Sequence, residues 1–367
     1  MKRFNQDLQY MKLALFLAKK GKGWTSPNPC VGAVIVKNGK IIGYGYHQGP
    51  GKPHAEAIAI REAGSLTQGS TLYLNLEPCV HYGRTPPCVE KIINSGIKRL
   101  VISTYDPNPL VNKKGVERLR KEGIQVSIGL LENEARKLNE IYFKYIVKKI
   151  PFVALKAGIS LDGKIATQNF KSKWITSTET RDYTHLLRGE FDCILVGINT
   201  ILYDNPLLTI RHPLWSSKKI KRAILDTNLQ FPEKSRIVKT LSDGEIIIYT
   251  SPNSSKKKIF SLREKGIDIV QIPIKNGNLC LVEVLKDLGS REVSSVLVEG
   301  GGEPLGSFLS EKLADKIFLF ISPKIIGGEK APSIFPQSKV EELKSALTLK
   351  NIKFFRIKND IIFEGYL

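Results

Sequence analysis

The sequence predicts two consecutive α/β domains, and three observations carry that expectation. The chain has 367 residues, enough for two ordinary hydrophobic cores. Short β-branched runs alternate with amphipathic stretches along its length, the order that gives sheets flanked by helices. Pro151 then interrupts the pattern, and a fresh apolar strand starts at Phe152. The expected domains are 1–147 and 151–367, joined by a short connection.

The first half reads element by element. Leu8, Met11, Leu15 and Ala18 recur at helical spacing, so an amphipathic helix over 7–20 opens the fold. A hairpin follows, with strands Val31–Val36 and Ile41–Tyr46 about an Asn38-Gly39 turn. A helix is expected from His54 to Ala63, then a strand from Thr71 to Leu76. Pro86-Pro87 opens a helix to Ser95, and a strand runs from Arg99 to Ser103. After a turn at Asp106-Pro107-Asn108-Pro109 come a helix, a strand and one long helix from Leu131 to Val147. In the second half the strand signals are Cys193–Val196, Arg222–Leu225, Glu245–Tyr249, Ile267–Ile272, Val296–Val298 and Lys316–Ile321.

Composition narrows the class. The chain is 42% hydrophobic and 25% charged, and no apolar run approaches the roughly 18–20 residues of a membrane helix. Asn5, Gln6 and Asp7 interrupt the basic start, and Leu13–Ala18 is too short for a signal peptide. Five cysteines, an odd number, argue against a disulfide framework and leave metal binding open. Cys30, Cys193 and Cys280 read as core. A cytoplasmic protein with no membrane partner is expected. The net charge of +21 invites a nucleic-acid reading, but no RNA-binding signature accompanies it. Lys256-Lys257-Lys258 reads as a solvated loop run, and no nucleic-acid partner is expected.

The strongest chemical signal is His54-Ala55-Glu56, then Pro78-Cys79 and, nine positions on, Cys88. One imidazole and two thiolates suit a catalytic Zn²⁺, because three protein ligands leave a fourth position for water. Zinc brings the pKa of water from about 9 for the aqueous ion toward about 7. Glu56 would stay off the metal and carry protons from the water to the ring nitrogen and the departing ammonia. A structural zinc site is the competing reading, although such sites normally bring four protein ligands in close pairs.

At these residues the chain resembles the zinc-dependent cytidine deaminase superfamily, with Tyr82 where a second close cysteine usually stands. The stretch Glu77-Pro-Cys-Val-His-Tyr-Gly-Arg-Thr-Pro-Pro-Cys88 is similar to the riboflavin-biosynthesis deaminases. Ser26-Pro-Asn-Pro-Cys-Val-Gly-Ala33 and Asp106-Pro-Asn-Pro109 extend the likeness. The resemblance implies a cytidine-deaminase-like three-layer α/β/α domain. It also implies that Asn28, His47, His81, Arg84, Asp106 and Asn108 hold a pyrimidine and its ribose phosphate. Asn28, Asp106 and Asn108 have a local reading as well, as turn residues that bond their own backbone.

In the second half, Val296-Leu-Val-Glu-Gly-Gly-Gly-Glu-Pro-Leu-Gly-Ser307 reads as a strand, a glycine turn and a helix start. Such a turn offers N–H groups to a pyrophosphate. Leu155-Lys-Ala-Gly-Ile-Ser-Leu-Asp-Gly-Lys-Ile-Ala166, Trp174-Ile-Thr176 and Asp204-Asn-Pro-Leu-Leu-Thr209 resemble the reductase domain that follows this deaminase in bifunctional enzymes. The resemblance implies a dihydrofolate-reductase-like α/β domain, an NADPH cofactor and a homodimer formed through that domain. By resemblance Gly158, Trp174, Thr200, Asp204, Thr227, Gly301, Gly302, Glu303, Pro304, Leu305, Gly306 and Ser307 line the cofactor. It also implies that Ser172, Arg188, Leu208, Arg211 and Glu299 face the substrate, and Lys156 and Glu299 are the candidates to manage protons there. The implied activity deaminates a diaminopyrimidinone ribosylamine phosphate and then reduces its ribosyl group. The alternative is an RNA base deaminase with an accessory nucleotide-binding domain.

Overall fold

The computed structural model describes residues 2–82, 86–336 and 340–367. The chain divides into two compact units, Met1–Lys149 and Ile150–Leu367.

The first unit opens with helix α1 (Lys2–Lys19) and the hairpin β1 (Gly32–Lys37) and β2 (Lys40–Tyr46). Then follow α2 (Ala55–Ala63), β3 (Thr71–Leu74), α3 (Cys88–Asn94), β4 (Arg99–Ile102), α4 (Lys114–Lys121) and β5 (Gln125–Ile128). Helices α5 (Glu132–Leu138) and α6 (Glu140–Lys148) close it. The sheet order is β2-β1-β3-β4-β5, antiparallel through β3 and parallel from β3 to β5. Side-chain alternation on β1 makes the layers. Ala33 and Ile35 pack with Ala55, Ala59, Ile92 and Leu119 on one face, whereas Val34 and Val36 meet Met11, Leu15 and Ala135 on the other. This is the three-layer α/β/α arrangement.

The expected long helix over 131–147 is two helices. The break falls at Asn139 (φ −106°, ψ 19°), which is buried. Its amide is engaged elsewhere: Cys30 N–H donates to Oδ1 at 2.7 Å, and Nδ2 donates to Cys30 O at 3.0 Å. Two hydrogen bonds to the start of the β1 segment outweigh the continuity of one helix.

The second unit begins with β6 (Phe152–Ile159), α7 (Thr178–Arg188), β7 (Cys193–Gly197), α8 (Ile198–Asp204), β8 (Lys221–Leu225) and β9 (Ile246–Thr250). It continues with α9 (Lys256–Glu264), β10 (Asp268–Gln271), a small hairpin of β11 (Ile274–Lys275) and β12 (Asn278–Leu279), α10 (Leu281–Ser290) and β13 (Ser295–Glu299). The last elements are α11 (Gly302–Ser310), β14 (Lys316–Ile321), β15 (Lys350–Ile357) and β16 (Asp360–Tyr366). Nine strands form one mixed sheet in the order β10-β9-β8-β7-β13-β6-β14-β16-β15. It is parallel from β10 to β14 and antiparallel beyond. The inner strand β13 is buried at every position, as a parallel strand covered on both faces must be. Val284, Leu288 and Phe308 cover one face of the sheet, while Ile201, Ile259 and Leu262 cover the other.

Two expectations are corrected here. Lys256-Lys257-Lys258 is no loop but the first turn of α9, with Ser255 Oγ accepting from Lys258 N–H at 3.4 Å. The β15–β16 hairpin, turning at Lys358 (φ 52°), was not among the expected strands. No helix among the described residues is long and apolar enough to cross a membrane.

Candidate zinc centre and reductase cleft

In the first unit three elements converge. His54 is the residue just before α2, Cys79 lies on the loop after β3, and Cys88 is the first residue of α3. Their ligating atoms all lie within 4.8 Å of one another. His54 Nδ1 is 3.1 Å from Cys88 Sγ and 3.7 Å from Cys79 Sγ. A tetrahedral zinc with ordinary bond lengths places nitrogen and sulfur ligands about 3.5 Å apart, between those two values. The donor set therefore fits zinc, and among the described residues no fourth His, Cys, Asp or Glu joins the cluster.

The electrostatics suit ligation. The Cys79 thiol is pulled down to about 4 by hydrogen bonding from Cys88, with His54 adding to the effect. Cys88 moves the opposite way, since it donates to Cys79. The Cys88 backbone N–H also reaches Cys79 Sγ at 3.4 Å. The two sulfurs thus share one proton, which a divalent cation would replace. Glu56 is buried on α2 against Cys88, and burial raises its carboxyl pKa.

The expected pyrimidine contacts take up two kinds of role. Asn28 Nδ2 donates to His47 Nε2 at 3.1 Å, and His47 Nδ1 donates to Pro53 O at 3.3 Å. Burial lowers the His47 pKa, and its ring lies 5.2 Å edge-on from that of His54. His81 Nδ1 is buried with no hydrogen-bond partner among the described residues. Asp106 and Asn108 also serve their turn: Asn108 N–H donates to Asp106 Oδ1 at 2.8 Å and Leu110 N–H to Asn108 Oδ1 at 3.1 Å. Arg84 lies outside the described residues.

Sequence reasoning missed two groups that hold this loop set. The Glu77 carboxylate accepts from the N–H groups of Asp106, Lys113 and Val116 at 3.0–3.3 Å. Tyr142, on α6, donates to the Asp106 carboxylate at 3.0 Å. Only the Glu-Pro-Cys run hinted at the first.

In the second unit a cavity of about 820 Å³ opens where β7 and β13 end. Open parallel sheets bind ligands at such strand ends. Glu299 closes β13 and sits opposite Lys156 of β6 in the parallel register. Arg188 donates Nε and an η nitrogen to Glu299 at 2.7 and 2.8 Å, and its other η nitrogen to Thr209 O at 2.8 Å. Burial alone would raise the Glu299 pKa, but the guanidinium against it and Lys156 beside it hold the carboxyl below its ordinary value. Burial lowers the Lys156 pKa, and Lys156 Nζ lies 4.8 Å over the Phe320 ring.

The glycine turn fits a cofactor cradle. Gly300 (φ 72°) and Gly301 (φ 78°) lie in the left-handed region, and a Cβ on Gly302 would stand 2.7 Å from Ser333 O. The turn leads into the first amides of α11, beside the cavity. Gly158, Trp174, Thr200, Asp204 and Gly301 to Leu305 line the space, as do Ser172, Arg188, Leu208, Arg211 and Glu299. Trp174 is exposed, with Arg181 stacked 4.3 Å over its ring. Three expected residues do not line it. Gly306 is buried and Ser307 lies beyond it along α11, while Thr227 follows β8, its carbonyl accepting from Ser251 N–H at 3.1 Å.

Two family profiles match the chain. The zinc-binding region of cytidine and deoxycytidylate deaminases matches residues 4–104, and the RibD C-terminal domain matches residues 151–363, over half the chain. The chain belongs to the RibD family. RibD proteins are bifunctional riboflavin-biosynthesis enzymes, with a zinc-dependent deaminase and an NADPH-dependent reductase in one chain. The riboflavin biosynthesis protein RibD of Aquifex aeolicus is 50% identical over 88% of this chain and 88% of its own. That of Escherichia coli is 39% identical over 88% and 89%. A RibD structure from Acinetobacter baumannii superposes with a TM-score of 0.89 at 33% identity, covering 99% of both chains. A Thermotoga maritima structure described as a diaminohydroxyphosphoribosylaminopyrimidine deaminase and 5-amino-6-(5-phosphoribosylamino)uracil reductase gives 0.86 at 38% identity, again over 99% of both.

Proposed function

We propose that the first unit hydrolyses the exocyclic amine of 2,5-diamino-6-(5-phosphoribosylamino)pyrimidin-4-one, and that the second reduces the ribosyl group of the resulting uracil to the ribityl form. The observation that carries this reading is an imidazole and two thiols meeting beside the buried acid Glu56. The substrate named for the Thermotoga relative supports it.

His54, Cys79 and Cys88 would hold the zinc, which supplies Lewis acidity and brings the pKa of water toward about 7. Glu56 takes a proton from the attacking water and returns protons to the ring nitrogen and the leaving ammonia. Its raised pKa suits both halves of that task. Asn28 and His47 would present polar edges to the pyrimidine, and the unpartnered His81 nitrogen is a further candidate contact.

A bound NADPH would supply the hydride for reduction of the substrate's sugar, and the residues of the cleft would bind and orient the two reactants. The Gly300–Leu305 turn and Trp174 would seat the cofactor. Lys156 and Glu299 hold and move the protons that ring opening and amine formation require, since Lys156 has a lowered pKa and a carboxylate directly opposite. The substrate is then a small phosphorylated pyrimidine in the cytoplasm rather than a nucleic acid. The partner is a second copy of the chain, supported by the edge strand β15, where Ile352 and Phe354 stand exposed.

The test gives purified protein the diaminopyrimidinone with and without NADPH. Ammonia should appear in both, and nicotinamide absorbance should fall only when the cofactor is present. Ammonia released from an RNA alone would overturn the reading. Sedimentation of Phe354→Lys as a monomer, where the parent chain is a dimer, would support the assembly.

A further inference from the structure

The reductase cleft carries more positive charge than its acids answer. Among the described residues, the lysines and arginines that line it are Lys156, Lys173, Arg181, Arg188, Arg211 and Arg236. Two of them face a carboxylate, and two more are anchored by neutral oxygens. Arg188 is held by Glu299, and Lys156 faces the same carboxylate across the strand pair. Arg181 donates to Thr176 O at 2.7 Å and Thr178 Oγ1 at 2.9 Å, and Lys173 donates to Asp204 O at 2.9 Å.

Arg211 and Arg236 remain. The Arg211 guanidinium reaches only the neutral Thr209 Oγ1, at 3.1 Å. Its backbone is fixed, because its N–H donates to His185 Nδ1 at 3.3 Å. Arg236 is exposed at the cleft rim, its N–H donating to Asn205 Oδ1 at 2.8 Å. Neither guanidinium has a carboxylate within ion-pair distance among the described residues. Both line the same cavity, and after burial Arg188 and Arg236 lower the Arg211 pKa, with Glu299 opposing them. Unanswered like charges at a cavity wall raise the energy of the empty site, and an anion seated between them relieves that repulsion.

We infer that Arg211 and Arg236 together form a phosphomonoester subsite, with Arg236 as its outer cation. The inference rests on the reading above that Arg211 faces the substrate. A guanidinium presents a rigid fork of donors matched to phosphate oxygens, so two of them can close on one dianion. Two groups in this reaction have that chemistry, the 5-phosphate of the substrate's ribose and the 2′-phosphate of NADPH.

The test uses the full chain carrying Arg236→Ala. If the substrate phosphate is seated there, KM for the phosphorylated uracil in the reductase reaction rises roughly tenfold or more, and KM for NADPH holds. If the cofactor phosphate is seated there, KM for NADPH rises while that for NADH does not. Arg236→Lys should recover part of either loss. Calorimetric titration with ribose 5-phosphate and with 2′-phosphoadenosine reads the subsite without turnover, and the affected ligand should bind more weakly to Arg236→Ala. Arg236 is exposed, so the variant should melt with the parent chain. Unchanged KM values and unchanged titrations would overturn the inference. Arg211→Ala separates the two levels: if it moves neither KM, the parent reading fails, and if it alone moves one, only the role of Arg236 fails.

Discussion

The two sites differ in how the chain assembles them. The zinc ligands lie between positions 54 and 88, at the ends of neighbouring elements, and each is placed by a local device: a residue before a helix, a turn, a first helical residue. The reductase cleft gathers residues from 156 to beyond 300, and its central pair, Arg188 and Glu299, lies 111 residues apart. A locally built metal centre should lose its chemistry without disturbing distant structure. A cleft built by sheet register should lose stability together with function.

The largest effect expected tests the first half of that contrast. Cys88→Ser should lose bound metal and abolish ammonia release, and Glu56→Gln should keep the metal while slowing deamination by about 10²–10⁴-fold. Both variants should oxidise NADPH normally when given the uracil intermediate. Metal analysis beside the two rate assays decides it. A reductase rate that fell in parallel would break the contrast.

Arg188→Met tests the second half. The side chains of Arg188 and Glu299 are 11% and 9% exposed, so removing the cation leaves a buried carboxylate uncompensated. That loss costs about 3–5 kcal/mol. Fluorescence-detected melting reports it well, since Trp174 and Trp215 both belong to the second unit. The sign with pH follows from the lowered Glu299 pKa: the contribution is whole above the unfolded value of 4.5 and drains as pH falls through the lower folded one. Wild-type stability in the variant would show that the pair is a surface-like contact.

The same contrast governs what the sequence revealed. The His-x-Glu and Pro-Cys signals were legible because a ligand set with short spacing has few geometric solutions. The strand–helix order was legible too, since side-chain alternation is a local property. The division of the 131–147 helix was not, because its cause is Cys30, 109 residues from Asn139. Nor was the engagement of Arg188 with Glu299, which needs α7 and the end of β13 side by side. Read singly, Arg188 was a substrate contact, a surface charge or half of an ion pair with no partner named; in the fold its fork faces the Glu299 carboxylate. Tyr142 escaped for the same reason, as one aromatic among several on an amphipathic helix.

His185 gives a smaller, graded test of the cleft. It is buried, and burial with Arg188 and Arg211 lowers its pKa to about 4 from 6.5. Between those values the unfolded chain binds the extra proton, so stability of the second unit rises with pH there. The melting temperature should fall as pH drops from 6.5 to about 4, with at most about 3 kcal/mol at stake. His185→Gln should flatten that part of the profile. An unchanged slope would mean that the imidazole is not held neutral by the fold.

The mildest change returns to the deaminase unit, where one hydroxyl crosses the contrast by acting from a distant helix. Burial raises the Asp106 pKa to about 6, while the bonds from Asn108 N–H and Tyr142 Oη favour its ionised form. Tyr142→Phe removes the second bond and leaves the ring and its packing in place. The carboxyl pKa should then climb above 6, and an acid that must be ionised to hold the substrate would be partly protonated near neutrality. Deaminase KM should rise about fivefold near pH 6.5, the size expected of one hydrogen bond, and the gap should close above pH 8. The turnover number should change less than KM, because Tyr142 positions a binding group and touches no reacting atom. If the variant's KM profile against pH overlies that of the parent chain, Asp106 is only a turn residue, and its bond to Asn108 N–H is its whole purpose.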